Sequence, residues 1–288
     1  MQLVRHSVDR VPIFLFCVVF ALDLAVFFTA TTWWAPMLWC AGMAIPKGWI
    51  CSWNHHHQHR PMFKHWFPNR ILELIFGFQT GVTSHAWFLH HVVGHHVNYL
   101  DQEKDESRWK RPDGTTMGEV EYGLNVALTA YPRAWKVGAK YPRARRTFLR
   151  MGLLQLALLG GFFALNPWNA LWVFAVPMAL SLYLTAWATY FHHAGLETDD
   201  HNEASYNILH PLYNKMTGNL GYHTAHHSQH GLHWSELPKL HAQLAPNIPR
   251  TLYRKPGIPF VWFKSEQKVV LSEEELAAIE AEQADAAA

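Results

Sequence analysis

The chain has 288 residues, half of them hydrophobic, with 14 Trp, 17 Phe and a formal net charge of only +2. So small a charge gives no sign of a nucleic-acid partner. The three cysteines, Cys17, Cys40 and Cys51, form no CxxC pattern, which excludes a zinc knuckle or a disulfide framework; they read as buried small hydrophobes.

Four apolar stretches follow in chain order. Val11–Ala30 is broken only by Asp23, and Trp33–Trp53 carries Lys47 as its only charge. Phe148–Leu165 and Trp168–Phe191 are separated by Asn166-Pro167. About 20 apolar residues suffice to cross a bilayer as a helix. The first stretch lacks a small-residue cleavage pattern and is followed at once by another, so it is not a cleavable signal peptide. Gly160-Gly161 weakens the third as an isolated helix. Ile71–Val82 is too short to span and reads as interfacial or re-entrant. The expected fold is therefore all-α and integral to the membrane. Four transmembrane helices form two hairpins beneath a cytosolic histidine-rich helical cap.

The links Thr31-Thr32 and Asn166-Pro167 contain no Lys or Arg, so all 24 basic residues fall on the opposite side. Positive residues stay cytoplasmic, which places both termini and the histidines in the cytosol. Trp33, Trp34, Trp39, Trp53, Trp168, Trp172 and Trp187 sit near span ends and read as an interfacial belt. Residues 1–271 form one domain. A polar tail, 272–288, starts with a capping box at Ser272 and Glu275.

Of 21 histidines, 20 lie between His55 and His241. Imidazole is the commonest metal-binding side chain and is neutral near pH 7. His55 and His59 are i,i+4, as are His91 and His95, and His223 and His226 are i,i+3; such spacing aims two rings from one helix face at one point. His96 and His227 follow as adjacent partners, and a pair such as His95-His96 can reach two metals, one each. His192 and His193 close the last span, and at least one of them is a candidate ligand. His56 and His57 are either supporting groups or solvent-facing, and His90 is either a supporting group or a ligand. With no cysteine nearby, iron–sulfur and zinc–thiolate sites fall away. One zinc or one haem would leave most candidates unused, whereas two metals with four or five imidazoles each fit the count. Iron, zinc and copper all accept such a set.

These three boxes, in four spans, resemble the integral-membrane fatty acid desaturase and hydroxylase superfamily from about Val11 to Lys264. The resemblance implies a di-iron enzyme that uses O2 and two external electrons on unactivated C–H bonds of a fatty acyl chain. It places the metal ligands at His55 and His59, at His91, His95 and His96, and at His223, His226 and His227. The run Thr189–Leu196 looks like a segment of bacterial membrane alkane hydroxylases and favours His193 as the remaining ligand. The segment Tyr99–Trp109 resembles bacterial desaturase-like proteins that include terminal-alkene-forming fatty acid decarboxylases. Desaturation is the leading reaction; oxidative decarboxylation and hydroxylation are the alternatives.

The chain shows no G-x-G-x-x-G and no P-loop. Electrons must then come from a separate ferredoxin- or rubredoxin-type donor with its reductase. The basic stretch Arg133, Lys136, Lys140, Arg143, Arg145, Arg146 and Arg150 would attract anionic membrane lipid or dock that donor. A metal transporter or sensor is the non-enzyme rival. Transporters place ionisable groups within the membrane, and here only Asp23 lies deep in a span.

Overall fold

The computed structural model describes residues 3–257, 259–263 and 281. The Ser272 capping box and the polar tail lie outside them. Among the described residues there is no strand, only three isolated bridges.

Helix α1 (Arg10–Thr29) and helix α2 (Ala35–His59) form the first hairpin. Helix α3 (Trp66–Thr80) follows at the cytosolic end expected for α2, then a π-helical turn at Phe88–Val92 and helix α4 (Glu119–Val137). Helix α5 (Pro142–Leu165) pairs with a second long rod. That rod joins α6 (Pro167–Ala170), a π turn at Leu171–Ala175 and α7 (Val176–His193). The short helices α8 (Pro211–Thr217), α9 (His223–Ser228) and α10 (Leu237–Leu244) follow α7.

Among the described residues, three helical segments are long and apolar enough to cross a membrane: Ser7–Thr29, Pro142–Leu165 and Pro167–His193. At 25 residues α2 is long enough as well, about 37 Å. Its composition is the reason it stands apart: Pro46 and Lys47 interrupt it, and its last turns are Asn54 and a run of histidines. The stretch expected to be interfacial or re-entrant forms the 15-residue α3, too short to span. It buries Leu72, Phe76 and Phe78 against the long helices and leaves Trp66, Phe67 and Ile71 exposed. Gly81 ends it at φ 69°, where a Cβ would meet the Met178 carbonyl oxygen at 2.2 Å, so only glycine fits.

Two apolar clusters tie the long helices together. Phe16, Ile50, Trp53, Leu72 and Phe76 join α1, α2 and α3. Phe27, Phe78, Val173 and Phe174 join α1, α3 and the π turn before α7. The tryptophans divide. Trp33, Trp34 and Trp168 are exposed at helix ends, as a belt requires. Trp39 instead donates to Asp23 Oδ1 at 2.8 Å, and Trp53 is buried and donates to the Met216 carbonyl oxygen at 2.8 Å. Cys40 and Cys51 are buried as expected, but Cys17 is exposed on the outer side of α1.

The two charges inside the first hairpin neutralise each other. Lys47 Nζ lies 2.9 Å from Asp23 Oδ1, both side chains wholly inaccessible, and Lys47 also donates to the Val173 carbonyl oxygen at 3.3 Å. A single buried charge is far more costly than a hydrogen-bonded pair. Asp23→Ala or Lys47→Ala alone should therefore destabilise the protein by about 3–5 kcal/mol, whereas Asp23→Leu with Lys47→Met should lie much closer to the parent. Thermal unfolding in detergent reads this; a double variant as unstable as the singles would contradict the pairing.

Candidate metal centre

Three local structures deliver the histidines. The final turn of α2 carries His55 and His59 on one face. The π turn Phe88–Val92 and the tight turns after it carry His91, His95 and His96. The first turns of α9 carry His223, His226 and His227. The π turn alters what spacing alone implies. His96 N donates to His91 O, a five-residue step, so His91 and His96 face one point while His95 turns to another. Gly94 permits the turn, because a Cβ there would sit 2.3 Å from the His90 carbonyl oxygen.

Two groups of ligand-competent atoms result. His55, His59, His91, His96 and His226 each offer a nitrogen, all within 4.8 Å of one another. His95, His193 and His227 do the same alongside. His223 joins the second group, its Nε2 lying 2.9 Å from His193 Nε2. Adjacent residues split between the groups: His95 from His96, and His226 from His227. The groups are neighbours, since the His96 and His227 rings stack at 4.1 Å.

Hydrogen bonding does not explain this crowding. His91 Nε2 lies 2.8 Å from His55 Nε2 and 3.0 Å from His96 Nε2. His193 Nε2 lies 2.9 Å from His223 Nε2 and 3.3 Å from His95 Nε2. A ring nitrogen carries one proton or one lone pair, so it satisfies only one such contact. Buried nitrogens of His59, His226 and His227 have no hydrogen-bond partner among the described residues. Burial first, then the neighbouring imidazoles, holds His91, His96, His223, His226 and His227 well below the usual histidine pKa. They are neutral at pH 7, with lone pairs converging; cations between them would resolve both the repulsion and the missing partners. The residues present thus fit metal ions.

Outer contacts fix several rings. His95 Nδ1 donates to Asp105 Oδ1 at 2.8 Å, and Asp105 also accepts from Ser107 N at 2.7 Å. His193 Nδ1 donates to the Ala204 carbonyl oxygen at 3.1 Å. Each such bond places the proton on Nδ1 and leaves Nε2 free for a ligand. Asp105 was not evident from sequence, because nothing in the run Asp101–Glu106 marks one carboxylate over the others. His230, whose ring lies 5.3 Å from that of His96, also escaped notice.

The ambiguous histidines take supporting places. His192 donates from Nδ1 to the Tyr206 carbonyl oxygen at 3.1 Å and stacks on His223 at 4.0 Å, leaving His193 inside the group. His56 Nε2 donates to the Thr217 carbonyl oxygen at 3.1 Å. His57 lies 3.4 Å from Glu73, which also pairs with Arg70 at 2.6 Å. His56 and His57 are buried, not solvent-facing. His90 is buried behind the groups, its ring near Trp87, and burial lowers its pKa to about 3.

A cavity of about 550 Å³ opens onto the groups between α2 and α7. His55, His91 and His223 line one end, and Gly48, Trp49 and Ala188 belong to its walls. This size and apolar lining suit a small hydrophobic ligand.

Replacing Asp105 by Asn keeps the shape but weakens the hold on His95. It should lower metal affinity about 10–100-fold. Metal titration of the chelated protein measures this; unchanged affinity would show that Asp105 does not support the site.

No curated protein matches the sequence significantly. A family model does: that of the fatty acid desaturases matches residues 14–256, a stretch that includes all three histidine boxes. With its long apolar helices, the protein is an integral membrane protein. The chain belongs to the fatty acid desaturase family.

Proposed function

We propose that the protein is an O2-dependent di-iron oxidoreductase that desaturates a fatty acyl chain. The observation that carries this is the pair of adjacent all-imidazole groups facing an apolar cavity. His55, His59, His91, His96 and His226 would hold one iron; His95, His193, His223 and His227 would hold the other. The iron pair would supply activation of dioxygen for removal of hydrogen from an unactivated C–H bond. The balanced conversion is –CH2–CH2– + O2 + 2 e⁻ + 2 H⁺ → –CH=CH– + 2 H2O.

The residues of the chain do the rest. Trp49, Trp187 and Phe191 line the cavity, exclude bulk water and hold an alkyl chain against the histidines. We take α2 as a fourth span, since its one lysine is neutralised within the fold, with both termini and the centre in the cytoplasm of a bacterial cell. The electrons would come from a ferredoxin- or rubredoxin-type protein. Lys136, Lys140, Arg143, Arg146 and Arg150 are exposed and available to an acidic donor. Arg133 is not, because its guanidinium is engaged by the Glu106 carbonyl oxygen and by Asn125. The rival of a metal transporter is disfavoured because the histidines converge on fixed points at helix ends and open onto an apolar space.

Iron-replete protein should contain close to two irons per chain. It should consume O2 only with substrate, donor and reductase together, and NADPH alone should give no turnover. One zinc without iron, or turnover under nitrogen, would overturn the reading.

A further inference from the structure

We propose that His230 is the capture ligand through which metal ions enter the first histidine group: it takes an ion from water and passes it to His59 and His96. This rests on the reading of the imidazole groups as metal sites and adds the route by which they fill. His230 does not belong to the converging set. Around the ring of His59, that of His96 stands at 4.6 Å and those of His55 and His226 at 4.7 Å. His230 stands a step farther out, 5.9 Å from His59 and 5.3 Å from His96.

The groups need such a step because they are enclosed. Of the nine converging histidines all but His59 are buried. His59 is half-buried, yet both its ring nitrogens are inaccessible and have no hydrogen-bond partner among the described residues. A divalent cation holds its waters strongly, and shedding them all before entering such an enclosure costs far more than exchanging them one by one for ligands. Stepwise exchange requires an imidazole that stands in water and lies close to the buried nitrogens.

The other approaches serve a hydrated ion poorly. The cavity presents His55, His91 and His223, but its walls include Trp49, Ala188 and Phe191, which offer an ion nothing in exchange for its waters. The second group is covered by buried Tyr99, whose ring lies 4.3 Å from that of His227 and whose hydroxyl donates to His201 Nδ1 at 2.5 Å.

His230 meets both requirements. It is exposed, two residues past the end of α9. Arg60, just beyond α2, donates from Nη1 to the Gly231 carbonyl oxygen at 3.1 Å, which holds this turn against the helix that carries His59. Arg60 is itself exposed, so water and salt screen its charge from an arriving cation. An exposed side chain changes rotamer within nanoseconds, so the ring can turn outward to bind an ion and inward to release it. The ion then meets His59 and His96, which converge with His55, His91 and His226. Each exchange trades one ligand for another and leaves the charge and oxidation state of the ion unchanged. Five imidazoles hold it more tightly than one, so the transfer runs inward. Entry and exit retrace one path. A capture ligand therefore alters how fast the site fills and empties, not how much metal it finally holds.

The test uses the full-length iron-loaded protein in detergent. Iron(II) leaving to excess bipyridine is followed by the colour of the complex, and the emptied protein is refilled with cobalt(II), followed by visible absorption. His230→Ala should slow refilling by at least about tenfold and slow release by the same factor. Final cobalt content and helicity should stay as in the parent. His230→Asp, which keeps a metal-binding group in water, should recover part of both rates. His65→Ala, which removes an exposed histidine outside the groups, should change neither. Parent rates in His230→Ala overturn the proposal, as does a change in one rate without the other. A lower final cobalt content also overturns it, since His230 would then be a ligand of the finished centre. Should His230→Ala fail to fold, His230→Gln decides by the same two rates. A protein that holds neither iron nor cobalt overturns the reading of the centre and this route with it, whereas metal bound and released at unchanged speed overturns the route alone.

Discussion

Nine imidazoles packed ring against ring impose a condition that the remainder of the structure meets. Each must be neutral and must show a lone pair to a shared point. At His96 and His226 burial provides neutrality by penalising the charged form, and the neighbouring rings make protonation harder still. Burial also removes water as a hydrogen-bond partner, so converging nitrogens are left unsatisfied unless cations lie among them. The crowding is thus both the destabilising element of the fold and, in the proposed function, the source of an affinity for metal.

The surrounding architecture holds that arrangement rigidly. The end of α2, the π turn at Phe88–Val92 and α9 each present histidines, and none contributes a complete set. Hydrogen bonds from the far side of the rings, through Asp105 and the Ala204 carbonyl oxygen, set their orientation. The same helices that carry His55 and His193 wall the apolar cavity, so in the proposed function one pair of helices would set both chain binding and metal position. In a fatty acid desaturase this keeps an alkyl chain and a reactive centre at fixed separation, which is what selective attack on equivalent methylene groups demands.

Much of this was legible in the sequence because hydropathy and histidine spacing are local signals. The apolar stretches appear as helices, and all nine candidate histidines are brought together. What spacing could not give was their partition. An i,i+4 rule pairs His91 with His95, yet a π turn, invisible to a 3.6-residue period, pairs His91 with His96. His192 and His193 are separated in the structure by their contacts: His193 Nε2 turns to His95 and His223, whereas His192 Nε2 meets the Tyr213 hydroxyl. The Asp23–Lys47 pair depends on a contact between separate helices, and Asp105 meets His95 only through the turns between them; Asp23 and Lys47 looked like isolated charges. Trp39 and Trp53 read as belt residues for the same reason, although their indole N–H groups are used inside the fold.

The central claim is that two irons lie side by side in an all-nitrogen environment. X-ray absorption at the iron edge, on purified protein with its native metal, tests it most directly. The account predicts nitrogen scatterers with the outer-ring pattern of several imidazoles around each iron, together with a resolved iron–iron scattering path. A sulfur shell, a single isolated iron, or an absorption edge belonging to zinc alone would contradict it.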